Sequence, residues 1–194
     1  MKKIGIILAR FQPIHNGHLE LIYKALREND EVLVVIGSID KLNARNPIPW
    51  NIREQLVKQA IAETISPVEQ GKVTVQELPD LSDESDNSHD WGFYLYSNIV
   101  TWINQSNFTI YYSDGYEIIT SWFPGFLLRN NVSLSLLARN TVEGGVSATE
   151  VRNLIMLSSE GDEYNPHNSK LQELVPECVY LKRELIKSFI NVFK

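Results

Sequence analysis

The sequence is nearly devoid of sulfur chemistry: Cys178 is the one cysteine among 194 residues. A disulfide framework and a cysteine-based zinc site are therefore both excluded. Long apolar runs are missing as well. Ile4 to Leu8 is followed almost at once by Arg10, which makes it too short for a secretory h-region. No stretch approaches the roughly 18 apolar residues of a membrane helix. These absences predict a cytoplasmic protein with no membrane partner. They also make the glycosylation-like triplets beginning at Asn104, Asn107 and Asn131 chance matches. Positive charge is scarce, with 18 Lys plus Arg against 24 Asp plus Glu and a net charge of −6. That balance lacks the basic footprint of a nucleic-acid binder, so no nucleic-acid partner is expected, although a few cations could still converge on a small anion. The common phosphate and hydrolase signatures are absent too: no G-x-x-x-x-G-K-[ST], no G-x-G-x-x-G, no G-x-S-x-G and no kinase set.

What is present reads as one globular domain over residues 1–194, with 43% hydrophobic and 22% charged residues. Ile4 to Leu8 and Glu31 to Ile36 are apolar runs without alternation, the pattern of strands covered on both faces. Lys72 to Leu78, Phe108 to Tyr112 and Val132 to Leu137 supply three more strands. Between them, Asn16 to Arg27, Trp50 to about Thr64 and Trp91 to Ile103 carry apolar residues at helical spacing. Ser147 opens a further helix, with Glu150 three residues on as a capping box. Ser82 to Asp90 and Gly161 to Ser169 read as loops. A C-terminal helical segment covers about 168–194, with Pro176 to Phe193 as a single terminal helix. This order predicts an α/β fold: a doubly wound, mainly parallel sheet with helices on both faces and its ligand site at the carboxyl ends of the strands.

Two segments carry chemistry. The first strand runs into Ala9-Arg10-Phe11-Gln12-Pro13-Ile14-His15-Asn16-Gly17-His18. Two histidines flank a glycine where a helix begins, and a helix N-terminus offers unpaired N–H groups and a positive dipole end. Imidazoles and N–H groups aimed at one anion make a phosphate site. Zinc is not expected, because no third ligand stands nearby and His89 and His167 read as residues of distant loops. The second segment is Gly145 to Arg152. Ser147, Thr149 and Arg152 bring hydroxyls and a guanidinium to another helix start, although a plain helix cap explains Ser147 equally well.

Together these segments resemble the nucleotidyltransferase superfamily marked by H-x-G-H, here His15 to His18, and by S-x-T-x-x-R, here Ser147 to Arg152. The string Arg10-Phe11-Gln12-Pro13 narrows the likeness to the archaeal-type nicotinamide mononucleotide adenylyltransferases and the matching halves of bifunctional Nudix fusions. The likeness continues through Ile36-Gly37-Ser38, Asn46-Pro47, Arg53-Glu54, Pro79-Asp80, Asn87 and Trp91. It implies a Rossmann-like nucleotidyltransferase fold and the reaction of NMN with ATP to give NAD and pyrophosphate. It implies that His15, His18, Arg10 and Arg152 are catalytic, that Ala9, Phe11, Ser113, Asp114, Ser147 and Thr149 complete the ATP site, and that Arg53, Asp80, Leu81, Asn87 and Trp91 bind NMN. In that scheme Arg53 holds the NMN phosphate and Trp91 walls the nicotinamide. The plainer alternatives are a surface ion pair with Glu54 or Glu63 for Arg53 and a core anchor of the third helix for Trp91. Mg²⁺ is the implied cofactor, carried by phosphate oxygens with few protein ligands.

The sequence departs from the pattern at Ala9, where the family usually has glycine, and in the acidic loop with Asp83, Glu84, Asp86 and Asp90. No Nudix box follows. Other transferases of the superfamily, acting on pantetheine phosphate or a CTP-linked alcohol phosphate, and a noncatalytic nucleotide sensor stay open as alternatives. A class I aminoacyl-tRNA synthetase would need an anticodon domain and a K-M-S-K-S string. The sequence leaves open a homo-oligomer and the choice between NMN and nicotinic acid mononucleotide.

Overall fold

The computed structural model describes residues 2–83, 85–138, 145–162 and 164–193. Glu84 of the acidic loop therefore lies outside the described residues. Strands β1 (Ile4–Ala9) and β2 (Glu31–Ile36) bracket helix α1 (Asn16–Glu28). Helices α2 (Trp50–Thr64) and α3 (Pro67–Gln70) lead to β3 (Val73–Glu77), and α4 (His89–Ile103) leads to β4 (Phe108–Ser113). Short helices α5 (Ile119–Trp122) and α6 (Gly125–Asn130) precede β5 (Val132–Leu137). The chain closes with α7 (Ala148–Leu157), α8 (Pro166–Leu174), α9 (Glu177–Leu181) and α10 (Arg183–Asn191).

The described strands form one parallel sheet in the order β3-β2-β1-β4-β5. The unbroken apolar runs of β1 and β2 follow from this position, because alternate residues enter different cores. Ile7, Val34 and Ile36 pack with residues of α1, α2 and α7. Ile6, Leu33 and Val35 pack on the other face with α4, α5 and α6. The chain builds outward from β1 through β2 to β3, then returns to lay β4 on the other side of β1. A crevice opens at the carboxyl ends of β1 and β4, where the winding reverses. Among the described residues, no helix is long and apolar enough to cross a membrane.

The expected fold class and strands are present, while several helix boundaries need correction. The segment Gly161 to Ser169 is not all loop. Asn165 caps a helix by accepting from the His167 N–H at 2.9 Å, and Pro166 takes the first helical position. His89 and His167 accordingly belong to helices rather than loops. The single terminal helix is two, broken at Lys182. The break lets α9 lie against α2 while α10 lies against α7, which one straight rod could not do. Arg183 secures the bend by donating to the Tyr180 carbonyl at 3.0 Å, with its guanidinium 4.5 Å over the Tyr180 ring. Helices α3, α5 and α6 escape a periodicity reading because each is only four to six residues long.

Candidate active site

Three adjoining cavities line the crevice. One of about 390 Å³ is bounded by the ends of β1 and β2, the acidic loop, Trp91 and Trp122. A second of about 230 Å³ holds Arg10, His18, Ser113, Thr149 and Arg152. A third of about 220 Å³ lies between the start of α1 and the start of α7. The first and second share Ala9, Arg10, Arg45, Tyr116 and Trp122 as walls; the second and third share His18, Ser113 and Thr149. They form one continuous cleft.

His15 is the N-cap of α1 in extended conformation and is buried. Its ring stacks on His18, with centroids 3.8 Å apart. The His15 N–H donates to Nδ1 of His18 at 3.3 Å. In a neutral imidazole that bond places the proton on Nε2, so His18 has a donor on its other edge. Gly17 keeps this turn open. A Cβ there would stand 3.1 Å from the His15 ring and 3.5 Å from the Val146 carbonyl. Across the cavity, Ser147 caps α7 by accepting from the Glu150 N–H at 3.2 Å, and Thr149 accepts from Arg152 at 3.2 Å. The cap reading of Ser147 therefore holds, and the same residue also lines the cleft. Two helix N-termini face one cavity, and their dipoles favour an anion between them.

A bond joins the two segments: Arg152 Nη1 donates to the Gln12 carbonyl at 2.8 Å, across 140 positions of sequence. Side chains of the Arg10-Phe11-Gln12-Pro13 string hold this turn in place. Phe11 is 1% exposed, its ring 4.7 Å from that of His18. The Gln12 side chain pairs with both backbone groups of Ile48, at 3.0 and 3.2 Å, and fastens the loop after β2. Burial, and then the neighbouring Arg10, lowers the pKa of Arg152. Two cations held close together in a half-buried cleft favour an anion there.

Arg53 is not the surface ion pair weighed against the phosphate contact that the resemblance implies. The side chain is 0% exposed, and it donates to the carbonyls of Arg10, Gly37 and Ser38 at 2.7, 2.8 and 3.0 Å. It lies beneath the loops and ties the end of β1 to the end of β2. Phe11 and Ser38, beside two of those carbonyls, have φ of 51° and 52°. Left-handed backbone costs about 1–2 kcal/mol for a non-glycine residue, and the Arg53 bonds help to offset that strain. Burial, with Arg10 nearby, pushes its pKa down to about 10. Ala9, by contrast, tolerates its side chain because it is the last extended residue of β1.

At the other end of the cleft, Asp80 accepts from Ser38 Oγ at 3.0 Å, and burial raises its pKa. Trp91 is 7% exposed, meets Trp122 edge-on at 6.0 Å, and still lines the cavity. It is both helix anchor and wall. Asn87 accepts from Trp122 Nε1 at 3.0 Å. Gly92 makes this possible, since a Cβ there would lie 1.9 Å from the Trp122 carbonyl oxygen. Leu81 is 46% exposed and, like Asp114, is not among the residues lining the cleft; Ser113 lines two of its cavities. Trp122, Arg45 and Tyr116 were not anticipated from sequence. A Trp in a four-residue helix and an Arg in an irregular loop give no periodic signal.

Similarity to known proteins agrees with this geometry. The chain is 27% identical over 150 residues to a nicotinamide-nucleotide adenylyltransferase of Thermococcus kodakarensis, covering 74% of this chain and 75% of that one. It is 27% identical over 198 residues to the Thermococcus onnurineus protein of the same name, covering 99% and 86%. Among solved structures, the bifunctional NMN adenylyltransferase/ADP ribose pyrophosphatase of Francisella tularensis, determined with AMP and a manganese ion, gives a TM-score of 0.63 at 20% identity. That match covers 98% of this chain and 50% of the bifunctional protein, so this chain spans half its length. A putative nicotinate-nucleotide adenylyltransferase from Vibrio parahaemolyticus gives 0.64 at 17% identity, covering 98% and 96%. At such identities the structural likeness speaks for the fold. The cytidylyltransferase-like family profile matches residues 6–154, from β1 into α7, and so encloses both motif segments; the chain belongs to the cytidylyltransferase-like family.

Proposed function

We propose that this protein is a nucleotidyltransferase that joins NMN and ATP to give NAD and pyrophosphate. The observation that carries the reading is the Arg152–Gln12 bond, which brings the H-x-G-H and S-x-T-x-x-R segments to one cleft between two helix N-termini. The names of the archaeal relatives support the choice of substrates. An oxygen of the NMN phosphate attacks the α-phosphorus of ATP, the bond to the bridging oxygen breaks, and pyrophosphate leaves. A phosphate monoester, with its second pKa near about 6, is already ionised at neutral pH. No nucleophilic side chain or general base is needed, and catalysis reduces to alignment and charge stabilisation.

In this scheme His18 donates to the transferring phosphate. His15 and the α1 N-terminus hold the triphosphate, together with Ser147, Thr149 and the start of α7. Arg10 and Arg152 balance the charge that develops on pyrophosphate. Ser113 and the end of β4 face the adenosine. NMN lies toward Asp80, Asn87 and Trp91, its phosphate near Arg10 and Arg45. Among the described residues, no three His, Cys, Asp or Glu side chains converge to hold a metal. This donor set would suit Mg²⁺ carried on substrate phosphates, whose charge it would help to neutralise when bound. One domain in the cytoplasm suffices for this chemistry.

The test is pyrophosphate release by the purified protein with ATP and Mg²⁺, offered NMN, nicotinic acid mononucleotide, phosphopantetheine or, with CTP, glycerol phosphate. Release with a pyridine mononucleotide, matched by dinucleotide formation, is expected. Release only with another acceptor, or nucleotide binding without turnover, would replace this reading with one of the alternatives.

A further inference from the structure

Residues 37–49 join β2 to α2 without forming a helix or strand. Irregular loops of this length are uncommon in compact domains and tend to carry function. This one carries Arg45, which is exposed and lines both the first and the second cavity. A long side chain on an irregular loop points where its backbone directs it. Two devices direct this one. Asn43 Oδ1 accepts from the N–H groups of Arg45 and Asn46, each at 2.9 Å, and the backbones of Asn43 and Asn46 bond to each other at 3.0 and 3.2 Å. Gln12 then fixes the end of the loop. Its Nε2 donates to the Ile48 carbonyl at 3.2 Å, and its Oε1 accepts from the Ile48 N–H at 3.0 Å.

We infer that Gln12 is a positioning residue of the transfer reaction: its carboxamide sets the peptide of Ile48 and, through that loop, aims Arg45 at the phosphate of the acceptor nucleotide. The inference rests on the adenylyl-transfer reading and adds to it a residue that acts through another. Gln12 is 2% exposed and its amide is spent on Ile48, so the side chain reaches the ligand by way of Arg45. The task demands a donor and an acceptor side by side on one plane, which an amide supplies. An ionised carboxylate of the same length accepts but cannot donate, a methionine does neither, and an asparagine is one methylene short.

The turn that bears Gln12 and the loop that it holds are secured differently. The turn has further holds: Arg53 on the Arg10 carbonyl at 2.7 Å, Arg152 on the Gln12 carbonyl at 2.8 Å, and the buried side chains of Phe11 and Ile14. None of these uses the Gln12 carboxamide. Its removal therefore leaves His15, His18 and Arg152 in place. The Ile48 side chain is 0% exposed in the core, which keeps the loop end docked. Burial of that side chain does not fix the rotation of its peptide; the two amide bonds do. The consequence of losing them falls on Arg45.

The experiment is a double-mutant cycle on Gln12→Met and Arg45→Ala. It reads kcat/KM for NMN at saturating ATP and Mg²⁺, with the KM for ATP and thermal melts alongside. Gln12→Met is expected to lower kcat/KM for NMN about tenfold, with the KM for ATP within about twofold of wild type. In the Arg45→Ala background the same substitution should cost less than about twofold, because the side chain it directs is gone. Additive losses, a loss shared equally by ATP and NMN, or a wild-type value for Gln12→Met would overturn the inference and leave Gln12 as a support of the fold. If Gln12→Met does not fold, Gln12→Glu decides. Protonated, that carboxyl donates and accepts as the amide does; ionised, it offers no donor to the Ile48 carbonyl, and burial raises the pH at which it ionises. Its kcat/KM relative to wild type should fall as pH rises, and should not do so in the Arg45→Ala background. A flat ratio, or the same fall in both backgrounds, would overturn the inference. If no nucleotide turns over, the cycle is read on calorimetric binding of NMN. The same coupling there leaves the positioning role standing and overturns the adenylyl-transfer reading; additive losses or no binding would overturn both.

Discussion

At the phosphate end of the cleft, His15 and His18 stand at the start of one helix, and Ser147, Thr149 and Arg152 at the start of another. At the base end, Ser38 follows β2, Asp80 follows β3, Asn87 and Trp91 stand around the start of α4, and Trp122 ends α5. On the proposed reading, the phosphate end is written in two short strings because a compact anion needs few walls and helix N–H groups supply donors to it. On the same reading, the base end would surround a flat ring, which takes walls from several directions. Those walls come from separate segments held by long-range contacts, such as the bond from Trp122 to Asn87. Arg53 lies under both ends and fastens their loops together.

That arrangement makes Arg53 the first place to break the comparison. At about 1.5 kcal/mol or more for each hydrogen bond to a charged group, Arg53→Met should cost upward of about 4 kcal/mol in stability. It should weaken ATP and NMN together, since the carbonyls it holds belong to both β1 and β2 ends. Denaturant unfolding together with both KM values reads this out. A stable variant that loses only NMN would return Arg53 to the phosphate contact first expected of it.

His18→Ala addresses the phosphate end alone. Loss of one preorganised donor typically costs about 10²–10³ in rate, or roughly 2.7–4 kcal/mol. The expected result at saturating Mg²⁺ is a large fall in kcat with a small rise in the KM for ATP, because the bond matters most in the transition state. A folded variant with near-normal kcat would shift the stabilising role away from His18.

The legibility of the molecule divides along the same line. The strands were readable because β1 and β2 are apolar on both faces, and the two segments that line the cleft because the residues of each are neighbours in sequence. The carbonyl-tying role of Arg53 was not read from the sequence, where a surface ion pair was weighed for it. Its three partners are backbone carbonyls, and carbonyls carry no identity in a sequence. Trp122 and Arg45 were missed because their short helix and irregular loop have no period. The broken terminal helix was missed because five residues of α9 are too few to show a period of their own, and the change of packing partner at Lys182 is a tertiary fact.

Two glycines sharpen the contrast at smaller cost. A Cβ on Gly92 would meet the Trp122 backbone at 1.9 Å, whereas one on Gly17 would meet the His15 ring at 3.1 Å. Backbone cannot yield as a side chain can. Gly92→Ala should therefore displace α5 and lower stability by about 1–3 kcal/mol, as overpacked cores do. Gly17→Ala should leave the melting temperature closer to wild type and act mainly on kcat, by moving His15. Thermal melts of the two variants side by side check this, and the reverse ranking would show that the base end is the more pliant.

The most direct test of the division between the two ends is the pair of KM values in Trp91→Ala, measured on protein that still melts cooperatively. Loss of an aromatic wall is worth about 1–3 kcal/mol, roughly fivefold to 150-fold in affinity. The account predicts that rise in the KM for NMN, with the KM for ATP within about twofold of wild type. Equal rises for both substrates, or an unchanged value for NMN, would contradict it and leave Trp91 as an anchor of α4 alone.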